Sequence, residues 1–253
     1  MKPELFHICA SYRKKRVLQD ITFSLEEGSI TALIGRNGAG KSTLISCLTG
    51  EKTDYDGTIL LDGRDIRTMD VQTRARLISC LPQNLPKPHV TVRELVTFGR
   101  TPYLPLTGKL SKNDEIIIDR ALEVTNMTAF ADAFVDTLSG GERRRAFLAM
   151  TFAQNTPLIV LDEPTAHLDA NSRFELMALI DNMRKTMGKT FLIVMHDLPE
   201  VLRCANQIAV LHDKQLTFFG NADECLAQQI PQKCFNVRVH GSKEDGYAVI
   251  PMQ

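Results

Sequence analysis

The chain has 253 residues, 43% of them apolar and 24% charged, with 30 basic residues balanced by 30 acidic ones. This length supports one large domain with a sizeable core, the composition excludes a disordered or low-complexity chain, and zero formal charge leaves no chain-wide signature for nucleic acid or an anionic membrane. Six scattered cysteines without a C-x-x-C pair argue against a zinc site or disulfide scaffold and fit reduced thiols in a cytosolic compartment; the start, MKPELFHICA, and the absence of about 20 consecutive apolar residues predict a chain neither secreted nor membrane-spanning.

In chain order, Leu5 to Ala10 and Val17 to Leu25 read as strands joined by a basic turn at 13–16, which predicts a hairpin. Ser29 to Ile34 is a short apolar strand, and Lys41 to Leu48 continues as a helix. Gly57 to Leu61 is strand-like, and Arg74 to Cys80 leads into Leu81-Pro82-Gln83. From Val92 to Ala133 the pattern is helical, broken at Pro102 to Pro105 and near Gly108. Helices are predicted over Glu142 to Gln154, Arg173 to Thr186 and Leu198 to Ala205, with buried strands at Leu158 to Leu161 and Thr190 to Met195. Alternating strands and helices imply a parallel sheet covered on its faces. The tail is read as a short helix near Asp223 to Gln229, then a hairpin over Cys234 to Ile250.

Chemistry concentrates first at GRNGAGKST, Gly35 to Thr43, which fits G-x-x-x-x-G-K-[ST]. Gly35, Gly38 and Gly40 free the backbone to curl around an anion, so that N–H groups along Asn37, Gly38, Ala39 and Gly40 can surround phosphate oxygens at a helix N-terminus. Lys41 would neutralise the β and γ phosphates, Ser42 would ligate Mg²⁺, and Thr43 would help hold the α and β phosphates. A glycine turn that binds nothing is disfavoured, because the required strand and helix flank the motif. Hydrolysis also needs a metal-positioning acid and a group to orient water. At the end of LIVLDE, Asp162 would hold Mg²⁺ and Glu163 would polarise the attacking water, with the cation relieving repulsion between the two carboxylates.

LSGGE, Leu138 to Glu142, stands just upstream of LIVLDEP and resembles the signature motif of ATP-binding-cassette ATPases. The chain is identified as a member of that family over nearly its whole length. The resemblance implies an α/β phosphate-loop NTPase fold with a RecA-like core, an N-terminal antiparallel β subdomain and a helical signature subdomain. It places one domain over 1–253, with 1–86 and 157–219 as catalytic core and β subdomain, 87–156 as helical subdomain and 220–253 as a short tail. Tyr12 resembles the aromatic that stacks on adenine, and Gln83 the glutamine that reaches the metal and attacking water. Asp169 matches the aspartate that bridges two subunits, and His196 the histidine at the γ-phosphate. His167 is read as a tolerated variant without a catalytic part, while Glu142 and Arg144 stand where glutamine is common, which bears on packing of the signature helix.

The family's mechanism implies ATP and Mg²⁺ as ligands and a head-to-tail homodimer, in which Ser139, Gly140 and Gly141 of one copy cover the γ-phosphate held by the other. The segment Thr91 to Pro105 and the Cys234 to Val237 element resemble cassettes of iron-chelate, haem and vitamin B12 importers. That implies a peripheral protein on the cytoplasmic face of a bacterial or archaeal membrane, docked on permease subunits through the Gln83 loop and helical subdomain, with an extracytoplasmic substrate-binding protein as an indirect partner. Another importer class remains an alternative. A soluble cassette factor acting on nucleic acid or ribosomes is disfavoured by the single motif set, the absence of heptads and the balanced charge.

Overall fold

The apolar run Ile30 to Ile34 is buried at every position, which suits a strand covered on both faces. The computed structural model describes residues 1–13, 15–105, 107–166 and 168–252, so His167 and Lys14 of the basic turn lie outside the described residues. The chain forms two compact units, one of Met1–Met69 with Asp181–Gln253 and one of Asp70–Ile180.

The first unit begins with β1 (Pro3–Tyr12) and β2 (Lys15–Ser24), the expected antiparallel hairpin, followed by β3 (Ile30–Gly35) and helix α1 (Lys41–Thr49). Strands β4 (Asp56–Leu61) and β5 (Arg64–Asp65) extend the antiparallel sheet on the β1 side. Left-handed His7 and Asp20 coincide with breaks in the β1–β2 register, where the His7 ring and the Asp20 carboxylate pair at 2.7 Å.

In the second unit, α2 (Val71–Leu77) is capped by Asp70, and β6 (Ile78–Leu81) pairs in parallel with the later β7 (Leu158–Asp162), Leu81 opposite Leu161. Between them run α3 (Val92–Phe98), α4 (Lys112–Val124) and α5 (Gly140–Ala153). All three start with a capping box: Thr91 with Glu94, Ser111 with Asp114 and Ser139 with Glu142. Each box satisfies backbone donors that a helix start would otherwise leave bare. Proline and glycine break the predicted helical stretch between α3 and α4, as expected.

The Gly99-Arg100 step within the importer-like segment has a structural explanation. A Cβ on Gly99 would collide with the Met150 carbonyl, so glycine permits α3 to close on α5. Arg100 is buried, with Nε on Asp114 at 2.9 Å, Nη1 on the Ala153 carbonyl at 2.7 Å and its guanidinium 4.0 Å from the Tyr103 ring centroid. One side chain thereby joins the turn after α3 to the start of α4 and the end of α5.

Helix α6 (Ala170–Met187) carries the chain back to the first unit, where β8 (Thr190–Val194) pairs in parallel with β3, Ile30 opposite Phe191. Helix α7 (Leu198–Cys204) then leads to β9 (Gln207–His212), parallel to β3 on its other side, and β10 (Gln215–Gly220), antiparallel to β9. This last hairpin is absent from the predicted elements; its turn uses left-handed Asp213 and Lys214, which carry no glycine signal. After α8 (Ala222–Ala227) the expected hairpin begins late. Cys234 lies in a further short helix, α9 (Ile230–Phe235), because Pro231 suits a first helical turn and Ile230 and Cys234 bury on one face; β11 (Val237–Ser242) and β12 (Gly246–Pro251) form the hairpin itself.

Candidate functional site

Within the first unit, parallel β3 ends directly at the glycine loop and α1 starts at Lys41, so the loop occupies the strand-to-helix turn that an anion cradle requires. Gly40 caps the helix at φ +104, a region L side chains rarely adopt. A Cβ there would also stand 2.6 Å from Leu18 Cδ2 and 2.9 Å from the Val17 carbonyl oxygen. Strand β2 is therefore the floor that fixes the loop.

Lys41 is buried, and its Nζ donates to the carbonyls of Gly35 at 2.7 Å and Arg36 at 3.3 Å. The ammonium is thus held within the curl of the loop. Ser42 is exposed at the first turn of α1, and Thr43 is buried beside it. An open pocket of about 410 Å³ brings the loop residues Gly35, Arg36 and Asn37 together with Met195 and His196, which follow β8, and with Phe235 of α9. His196 is exposed and Asp197 caps α7, so the histidine sits on a short, braced corner. Tyr12 is 53% exposed, and the Lys52 ammonium lies 4.7 Å from its ring centroid just beyond α1. The ring is therefore exposed overall, with the Lys52 ammonium over one of its faces.

The second unit assembles a different set at the ends of β6 and β7. Asp162 closes β7 and is buried; Glu163 follows in the left-handed region at φ +51. Gln83, two residues past β6, donates from Nε2 to Glu163 Oε2 at 2.9 Å. Below them Arg144 of α5 is buried, donating from Nη1 to the Glu163 carbonyl at 2.5 Å and from Nη2 to the Gln83 carbonyl at 3.1 Å. Burial draws the Arg144 guanidinium below its ordinary value, opposed by the carboxylates of Glu163 and Asp162.

Ser139, Gly140 and Gly141 form the N-terminus of α5, with Ser139 and Gly140 exposed. The Ser139 hydroxyl accepts from the Glu142 amide at 3.3 Å, and the Glu142 carboxylate accepts from the Ser139 amide at 2.9 Å; hydrogen bonding with the Ser139 side chain first, and from its backbone amide second, holds the Glu142 carboxyl below its usual range. The signature is therefore also a helix cap. A Cβ on Gly141 would lie 3.7 Å from Leu168 Cδ2, so the signature turn abuts the loop leading to Asp169. Asp169 caps α6 by accepting from the Ser172 amide at 2.9 Å and hydroxyl at 2.8 Å, and these bonds lower its carboxyl pKa.

Two neighbours escaped the sequence reading. Arg144 does more than pack the signature helix, and its signal in the sequence is arginine standing where glutamine is common. Phe235 carried no local signal, since only the fold returns α9 to the loop.

A parallel sheet feeding a glycine loop, with Lys41 curled into it, defines a phosphate-loop nucleotide-binding protein. Residues 18–166 match the ABC transporter family, and the chain belongs to that family. It is 37% identical over 223 residues to a petrobactin import ATP-binding protein of Bacillus anthracis, covering 88% of this chain and 82% of that protein. It is likewise 37% identical over 228 residues to a ferric enterobactin transport ATP-binding protein of Escherichia coli K12, covering 90% and 84%. A solved structure of an ATP-binding subunit of an ABC transporter superposes with a TM-score of 0.79 at 25% identity, over 91% of this chain and 93% of that one. The chain is an ABC-type ATPase, and among the described residues no helix is long and apolar enough to cross a membrane.

Proposed function

We propose that this chain is the ATP-hydrolysing subunit of an importer, coupling binding and hydrolysis of ATP to uptake of an iron-chelate, haem or cobalamin-type substrate. The observation that carries the catalytic reading is the hydrogen bond between Gln83 and Glu163, which joins a carboxylate able to accept a proton from water to an amide able to orient that water. Relatives named for petrobactin import and ferric enterobactin transport support the iron-chelate class.

In this reading ATP lies along the loop from Asn37 to Thr43, with Lys41 on the β and γ phosphates and Tyr12 against adenine. His196 contacts the γ-phosphate, and Glu163 takes the proton of the attacking water. The Ser42 hydroxyl, Asp162 carboxylate and Gln83 amide are hard oxygen donors that suit Mg²⁺. When bound, Mg²⁺ supplies neutralisation of phosphate charge. Ser139, Gly140 and Gly141 offer helix N-terminal amides to the nucleotide of a second, head-to-tail copy, and Asp169 lies at the same junction. The dimer works at the cytoplasmic face of the membrane, with permease subunits against the Gln83 loop and helical segment and a substrate-binding protein outside.

Steady-state ATPase assays test this reading. Glu163→Gln should lose turnover by on the order of 10²- to 10⁴-fold, the usual contribution of a general base, and should elute as a dimer in MgATP. Lys41→Ala should lose nucleotide binding or turnover. Unchanged turnover in Glu163→Gln, with a monomer in saturating MgATP, would refute the mechanism. Radioiron-chelate uptake by vesicles carrying this chain with its permease partner tests the substrate class, and uptake of another solute alone would overturn it.

A further inference from the structure

Resting on the reading of Glu163 and Gln83 above, we propose that Arg144 is a positioning residue for hydrolysis: from the signature helix it clamps the backbones of both loops so that the Gln83 amide meets the Glu163 carboxylate.

The geometry is a closed ring. The two Arg144 nitrogens reach carbonyls on separate loops, at 2.5 Å on Glu163 and 3.1 Å on Gln83, while the side chains of those residues close on each other at 2.9 Å. Strands β6 and β7 are paired only as far as Leu81 and Leu161, so beyond them the sheet ladder no longer sets the spacing of the loops. Arg144 takes over that task. Its planar fork of five donors can hold two diverging carbonyls, which a shorter amide with a single NH₂ cannot do with the same reach.

Two further observations point the same way. Glu163 has a left-handed backbone, an unfavourable state for a residue with a Cβ, which persists only where its surroundings hold it. Its carbonyl is bound both by Arg144 and by the Ala166 amide at 3.2 Å. Arg144 is only 6% exposed, and burying a guanidinium is costly unless hydrogen bonds and nearby carboxylates compensate. A residue needed only to pack α5 would carry no such charge.

The experiment is ATPase kinetics on the full chain. Arg144→Ala should lower kcat by about 10- to 100-fold, the scale set by misplacing a catalytic group by about 1 Å, with KM for ATP within about twofold of wild type. Millimolar guanidinium should restore part of the lost kcat, and Arg144→Lys, which keeps the charge without the fork, should lie between. If Arg144→Ala does not fold, Arg144→Gln is measured in the same way and should also lose kcat rather than KM. A folded variant with wild-type kcat, a loss carried by KM, or absence of guanidinium rescue in Arg144→Ala overturns the proposal. Glu163→Gln assayed alongside separates the two failures. An inactive Glu163→Gln beside fully active Arg144 variants sinks the clamp alone, whereas an active Glu163→Gln sinks the underlying reading and the clamp with it.

Discussion

Gly40 and Gly38 lie two residues apart in one loop, both with positive φ, yet their alanine substitutions should differ sharply. At Gly38, φ is +81 and a Cβ meets nothing within 4 Å, so Gly38→Ala incurs only the left-handed backbone penalty of about 1–2 kcal/mol. At Gly40, φ is +104 and the Cβ meets Leu18 Cδ2 at 2.6 Å and the Val17 carbonyl at 2.9 Å. The leucine tip can swing away, but the carbonyl belongs to β2 and cannot retreat without disturbing the sheet. An overpacking cost of about 1–3 kcal/mol therefore adds to the backbone term, for a total of about 2–5 kcal/mol. For a chain of this size that corresponds to a fall in melting temperature of roughly 4–20 °C for Gly40→Ala, against roughly 2–8 °C for Gly38→Ala, with the Gly40 variant the less stable of the two. Thermal melts of both variants, with binding of a fluorescent ATP analogue to each, measure the difference. Equal melting temperatures would refute the claim that β2 is the floor of the loop.

Asp114→Ala should cost about 3–5 kcal/mol in denaturant unfolding, because it strands the guanidinium of Arg100, whose side chain is 4% exposed. Asp119→Ala should cost less than about 1 kcal/mol, although its ion pair with Arg93 is as short at 2.7 Å, since those side chains are 47% and 60% exposed; similar losses for both would contradict the burial argument. Burial pushes the Cys47 thiol up to about 11 and the Cys225 thiol up to about 12, both above the ordinary thiol value near 9. The folded chain then keeps protons that the unfolded chain releases, so this contribution is complete below pH 9 and is lost as pH rises through about 11 to 12. The fall in denaturation midpoint between pH 8 and pH 10.5 should be smaller in Cys47→Ala/Cys225→Ala than in wild type; an identical fall would exclude the two thiols as its source.

The local elements were legible because each carries its cause in nearby residues. The glycine loop announces itself through spacing, and the helices α3, α4 and α5 fall within stretches whose residue pattern already reads as helical. Strands β3 and β8 stand out as apolar runs because they are buried on both faces. The β9–β10 hairpin escaped because its turn uses Asp213 and Lys214 in place of glycine, and α9 escaped because Ile230 and Cys234 find their burial only in the folded tail.

By itself, then, the sequence determined the family, the phosphate loop and the chemical character of the carboxylates at the end of β7, since each is set by residue types at short, fixed spacing. Tertiary structure alone decided that Gln83 bonds Glu163 across 80 residues of chain, that Arg144 grips both of their carbonyls, and that Phe235 comes to rest beside His196 and the loop. Those contacts depend on how strands pair and helices pack, and side-chain reach across such separations leaves no trace in local pattern.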